Sequence, residues 1–120
     1  MSKSKIRLNK ILDAISDIEF ILNKVDFKIT KAIEDSILKP ALKMHIIRIA
    51  EEFNRLKQEN QFKLLENFSD KDLRGLSAVR NFIAHDYDIV DDNIIENVLR
   101  YNIPELKKTV EKLLNKWKTF

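Results

Sequence analysis

The chain has 120 residues, 44% of them hydrophobic and 34% charged, with a formal net charge of +3. That suits a single globular domain over 1–120 and excludes intrinsic disorder; the mild basic excess permits a nucleic-acid partner without demanding one. With one glycine, two prolines and no cysteine, the chain lacks the turn residues of an all-β fold and the thiols of disulfide or thiolate chemistry.

From Ile6 to Val25, the residues Leu8, Ile11, Leu12, Ile15, Ile18, Ile21 and Leu22 recur at spacings of three and four. This predicts an amphipathic helix. "DFKITKAIEDS" weakens the pattern and should hold a turn or a short helix. A second long helix should start near Asp35 or Ser36, either of which can cap it. Pro40 then falls about one turn in, where its missing N–H costs least. Leu42, Ile46, Ile49, Phe53 and Leu56 form its buried stripe, and "KQENQ" leads out of it. Ser69 and Asp72 stand at capping-box spacing before Leu73, Leu76 and Val79, which predicts a third helix from about Asp70 to Ala84. Gly75 inside it costs roughly 1 kcal/mol against alanine, which points to a close helix–helix approach. "HDYDIVDD" reads as a loop. Asp91 or Asp92 should cap the next helix, with Ile94, Ile95, Val98 and Leu99 inward. Pro104 is expected to break or restart that helix. The last segment, Glu105 to Trp117, should bury Leu106, Val110, Leu113, Leu114 and Trp117. The sum is an all-α fold, an up-and-down bundle of four or five helices. No apolar run reaches the ~20 residues of a membrane span, and "MSKSKIRLNK" lacks the apolar core of a signal peptide. A cytoplasmic location is therefore expected.

The chemistry concentrates in "VRNFIAHDYDIVDD". Arg80 and His85 are five residues apart, about 140° to 150° around an ideal helix. They cannot share one face of an unbroken helix, but they can reach one cleft from different directions, or meet between two copies of the chain. Arginine offers a planar fork of donors that matches phosphate oxygens. Histidine, with an ordinary pKa near ~6.5, can take and return a proton around neutrality. Together they suffice to cleave RNA without a metal: the histidine serves as base on the ribose 2′-OH or acid on the leaving oxygen, and the arginine stabilises the pentavalent phosphorus. Asn81 can donate to a phosphate oxygen or orient the histidine, and Tyr87 offers a hydroxyl. The plainer alternative is a helix end whose cations complement the dipole. His85, Asp86 and Asp88 could be read as a hard-metal site, but loop spacing fixes no geometry, and no metal or cofactor is expected. Lys108, Lys112 and Lys116 could track phosphates; a solvated face opposite the Leu106–Leu113 stripe also accounts for them. His45, without an acidic or basic partner at motif spacing, reads as a partly buried or surface histidine.

"RNFIAHDY" fits the pattern R-N-x3-H-x-Y and resembles the signature of the HEPN superfamily, in its HepT-like branch. "IIRIAEEFNRL" is similar to that family's second-helix stretch, "LRGLSAVRNFIAHDYDIVD" to its run through the motif, and "IPELKK" to its leucine–proline near the last helix. The likeness covers about Asp35 to Leu114. Two positions depart from it: Ala50 replaces the usual glycine before Glu51, and "SDKDL" stands where a tryptophan after a proline is usual. The resemblance implies a helical homodimer with both motifs in a shared cleft. It implies a toxin of a type II toxin–antitoxin module, a metal-independent endoribonuclease. Arg80 and His85 would be the catalytic pair, Asn81 the supporting polar residue and Glu51 a possible cleft residue. The partner would be a minimal nucleotidyltransferase (MNT) antitoxin that attaches AMP to Tyr87. A different class of function, a non-catalytic helical module that binds a nucleotidyltransferase and positions its substrate, is the alternative.

Overall fold

The first helix, α1 (Lys3–Asn23), begins before its apolar stripe because Ser2 caps it: the Lys5 backbone N–H donates to Ser2 Oγ at 3.1 Å. A computed structural model describes residues 2–85 and 92–118, the side chains of 82–85 and 117–118 excepted. α1 ends where Asp26 and Phe27 take left-handed backbone angles (φ 53° and 59°), and the Phe27 N–H closes back on the Leu22 carbonyl at 2.8 Å. The short α2 (Ile29–Glu34) follows, burying Ala32 and Ile33. It fills the stretch where the sequence pattern weakens.

The long central helix α3 (Leu38–Gln58) starts slightly later than the sequence suggests, but its cap is one of the two expected. Asp35 Oδ1 accepts from the backbone N–H groups of Ile37 and Leu38 at 2.8 and 2.9 Å. Those two bonds hold the Asp35 carboxyl below its ordinary pKa. Asn60, with φ 60°, turns the chain out of α3. A single-turn α4 (Phe62–Leu65), not anticipated from the sequence, leads to α5 (Asp70–His85). Ser69 Oγ accepts from the Asp72 N–H at 3.1 Å, the first half of the expected capping box. The Asp72 carboxylate turns elsewhere: it accepts from Asn102 Nδ2 at 2.7 Å in the buried interior.

Pro104 restarts the helix, one of the two outcomes expected, and does not break it. α6 (Asp92–Asn97) runs through a π turn over Val98–Asn102 directly into α7 (Ile103–Lys118), and Pro104 is only the second residue of α7. A proline inside a helix has no N–H and crowds the carbonyl four residues earlier. Widening the preceding turn, with the Ile103 N–H bonded to the Val98 carbonyl, accommodates the ring without ending the rod. Asp92 lies inside the first turn of α6, and its Oδ1 accepts from Lys39 Nζ at 3.2 Å. Asp91 lies outside the described residues, as does the side chain of Trp117.

Every regular element among the described residues is helical, and the helices pack as a bundle. α3 lies between α1 and α5, and α1 also meets α7. Arg7 meets Glu59 and Asp17 meets Arg48, so α1 and α3 run in opposite directions. The core is the expected one: Leu8, Ile11, Ile15 and Ile18 of α1 pack with Leu42, Ile46, Ile49 and Leu56 of α3. Leu76 and Val79 of α5 and Leu106 and Val110 of α7 complete it. Gly75 is the expected close approach. A Cβ there would stand 2.8 Å from Asn102 Oδ1, so any larger residue requires the Asn102 side chain to shift.

Candidate functional site

α3 and α5 carry the candidate residues on facing surfaces. Arg80 Nε donates to Glu51 Oε1 at 2.5 Å, and both side chains are 40% exposed. An ion pair this open contributes about 0–1 kcal/mol. Glu51 therefore orients the guanidinium through Nε without locking it, and the two Nη groups remain for a phosphate. Asn81 follows on the exposed side of α5.

Arg80 and Asn81 open onto a groove of about 400 Å³ between α3 and α5. Its α3 wall is Ala50, Phe53, Asn54 and Lys57, and its α5 wall includes Leu73, Leu76 and Ser77. Phe62 and Leu65 of α4 line it as well. No carboxylate is among these lining residues, although Glu51 bonds Arg80 beside them. Arg80, Asn81 and Glu51 are expected from the sequence, and the fold brings these three together. Asn54, Lys57, Phe62 and Ser77 are not expected from it. A signal for the first two was present, since residues 50, 53, 54 and 57 share one face of a helix. Nothing local marked Phe62, which reaches the groove only because the unanticipated α4 turns it there.

The backbone of His85 closes α5. Its side chain, together with Asp86, Tyr87 and Asp88, lies outside the described residues, and so does any geometry between them and Arg80. Among the described residues, no group of three or more His, Asp or Glu side chains stands together as a metal site.

His45 is partly buried, as the sequence suggests. It has a charged partner one turn on: Nδ1 lies 2.7 Å from Arg48 Nη1, and Arg48 in turn donates to Asp17 at 2.9 Å. Partial burial and then the charge of Arg48 lower the His45 pKa, against a smaller opposing effect of Asp17. This cluster lies away from the groove, on the α1 side of α3. Lys108 and Lys112 are exposed beside Glu111 and Asn115 in a shallow depression of α7, in keeping with a solvated face. No helix among the described residues is long and apolar enough to cross a membrane.

No curated protein and no solved structure matches the chain. A family described as "Ribonuclease HepT-like" matches residues 11–113. That span takes in α3, the whole of the groove and the Arg80–His85 motif. The chain belongs to the HepT-like ribonuclease family.

Proposed function

We propose that the chain is the toxin of a type II toxin–antitoxin module, a metal-independent endoribonuclease acting as a homodimer. What supports this reading above all is the position of Arg80. It stands at the mouth of a groove lined without carboxylates, held at Nε only, five residues before the histidine that ends α5. Membership of a family named for ribonuclease activity points the same way.

In this reading His85 takes the proton of a ribose 2′-OH. The 2′ oxygen attacks the adjacent phosphorus, the bond to the 5′ oxygen breaks, and the leaving oxygen takes the proton back from the imidazolium. The products are a 2′,3′-cyclic phosphate and a 5′-hydroxyl. Arg80 binds the phosphate oxygens, whose charge grows in the pentavalent transition state. Asn81 donates to the same phosphate or orients the imidazole, and Glu51 positions Arg80. Positions 80 and 85 are about 140° apart around α5, which favours a cleft completed by a second copy of the chain. An MNT-type nucleotidyltransferase antitoxin would silence the enzyme by attaching AMP to Tyr87. That would add phosphate charge and bulk to the motif seven residues beyond Arg80 in the chain, in competition with substrate.

The test is RNA cleavage by the purified protein in EDTA. Cleavage leaving a cyclic phosphate end is expected, lost in His85→Ala. Cleavage that persists in that variant, or that needs a divalent ion, overturns the mechanism. Co-expression with a nucleotidyltransferase partner should add the mass of AMP to Tyr87; an unchanged mass overturns the proposed silencing.

A further inference from the structure

The groove continues well beyond Arg80. Lys57 lies seven residues after Ala50 on α3, about 10 Å along the helix axis, so Lys57 and Arg80 stand toward opposite ends of it. One phosphate on Arg80 leaves the rest of the groove empty. That remainder has a distinct chemistry. Phe53 and Leu76 form a buried apolar floor. Phe62 is 54% exposed on a single-turn helix, an arrangement that leaves a large apolar residue open to solvent. Asn54 and Ser77 make no side-chain hydrogen bond, and Lys57 no ion pair, among the described residues. An aromatic face, free amide and hydroxyl groups, a cation and no acid match one ligand class well: an unpaired nucleotide.

We infer that the α3–α4–α5 groove is a nucleotide subsite that takes one unpaired base of the RNA next to the scissile phosphate. The base stacks on Phe62 above the Phe53–Leu76 floor. Asn54 and Ser77 bond its edge, and Lys57 holds the neighbouring phosphate. A base inside a duplex is already stacked and paired and cannot enter, so the subsite selects single-stranded segments. The inference rests on the reading of Arg80 as the ligand of the scissile phosphate.

The probe is a fluorescent ten-nucleotide RNA, 2′-O-methylated throughout so that it cannot be cut, titrated into the full-length protein at several salt concentrations. Phe62→Ala should weaken binding about 5- to 100-fold. Because Phe62 is exposed, this change leaves the fold intact. Phe62→Trp should restore binding, and Phe62→Leu should behave like Phe62→Ala. Lys57→Gln should lower the slope of log affinity against log salt by about one phosphate contact. Wild-type affinity in Phe62→Ala overturns the inference. Wild-type affinity in Phe62→Leu also overturns it, since the groove would then be a generic apolar contact. So does a Phe62→Ala variant that binds RNA normally but no longer associates with a second copy or a nucleotidyltransferase. Failure of the catalytic reading looks different. If the protein binds the methylated RNA through Phe62 yet leaves unmodified RNA uncut, the nuclease proposal falls and the subsite stands.

Discussion

α3 has two flanks, and its charges are used differently on each. Toward α1, Arg48 bonds Asp17 at 2.9 Å, and Glu52 accepts from Arg7 at 3.4 Å and Arg55 at 3.2 Å. Toward α5, Asn54 and Lys57 have no such partners among the described residues. The cause is the neighbouring helix. α1 presents Arg7 and Asp17 to α3, whereas the facing positions of α5 are Leu73, Leu76, Ser77 and Arg80. The adjacent glutamates show the same division. Glu52 is 8% exposed and clamps two arginines, while Glu51 is open and holds Arg80 only loosely. Polar groups bound to one another stabilise the bundle; those left uncommitted can bind something else. One helix thus pairs its charges on one flank and leaves polar groups uncommitted on the other.

The sharpest way to break this division is to remove one charge from each flank and compare stability. Glu52→Gln leaves Arg7 and Arg55 without their shared carboxylate. The expected loss is about 1–3 kcal/mol, within the range for disrupting a charged hydrogen bond at a largely buried site. Lys57→Gln should change stability by no more than about 0.5 kcal/mol, as for a solvated surface residue. Urea denaturation of both variants checks this. Equal losses would mean that Lys57 has a structural partner and that the two flanks do not differ in kind.

The next effect concerns what holds the groove flank in place. The α5 wall of the groove is anchored from behind, where Gly75 meets Asn102 and Asn102 is tied to Asp72. Gly75→Ala gains roughly 1 kcal/mol of helix propensity. The added methyl, 2.8 Å from Asn102 Oδ1, costs about 1–3 kcal/mol by overpacking. A net loss near 1 kcal/mol is expected. The same change made in an Asn102→Ala background should be stabilising, because the obstructing oxygen is gone. A stabilising Gly75→Ala on its own would show that Asn102 can leave Asp72 easily, so that the wall is not pinned there.

These residues show why some of the molecule was legible in its sequence and some was not. The buried stripes of α1, α3 and α5 follow from a period of 3.6, which is a local property. The caps at Asp35 and Ser69, and the close approach at Gly75, also follow from local rules. The partner of Gly75 did not, because Asn102 is buried only by virtue of a carboxylate 30 residues away. Whether Pro104 would break or restart the helix stayed open, because that depends on whether the preceding turn can widen, and sequence does not state that. The Arg80–Asn81–Glu51 grouping was readable from the motif and the family likeness. The remainder of the groove depends on α4, a single turn with no periodic signal, and on which side of α3 each neighbouring helix packs. Glu51 and Glu52 are identical residues side by side; only packing separates their roles.

The smallest effect tests the stability flank alone, through pH. Arg48 can only donate, so His45 Nδ1, 2.7 Å from it, must accept, and the imidazole is neutral. Burial and Arg48 lower its folded-state pKa below the ordinary 6.5. Between the lowered value and 6.5 the unfolded chain binds more protons than the folded one, so stability rises with pH there. The contribution is fully present above 6.5 and is lost as pH falls through the folded-state value. Wild type should therefore lose more stability than His45→Gln between pH 7.5 and 5.5, by a modest margin because the ring is only partly buried. Denaturant melts across that range check it. Coincident curves would mean that the His45–Arg48 contact does not persist in solution. Lys57→Gln should run parallel to wild type over the same range. Parallel behaviour there, with a flattened curve for His45→Gln, assigns this pH dependence to the flank that faces α1.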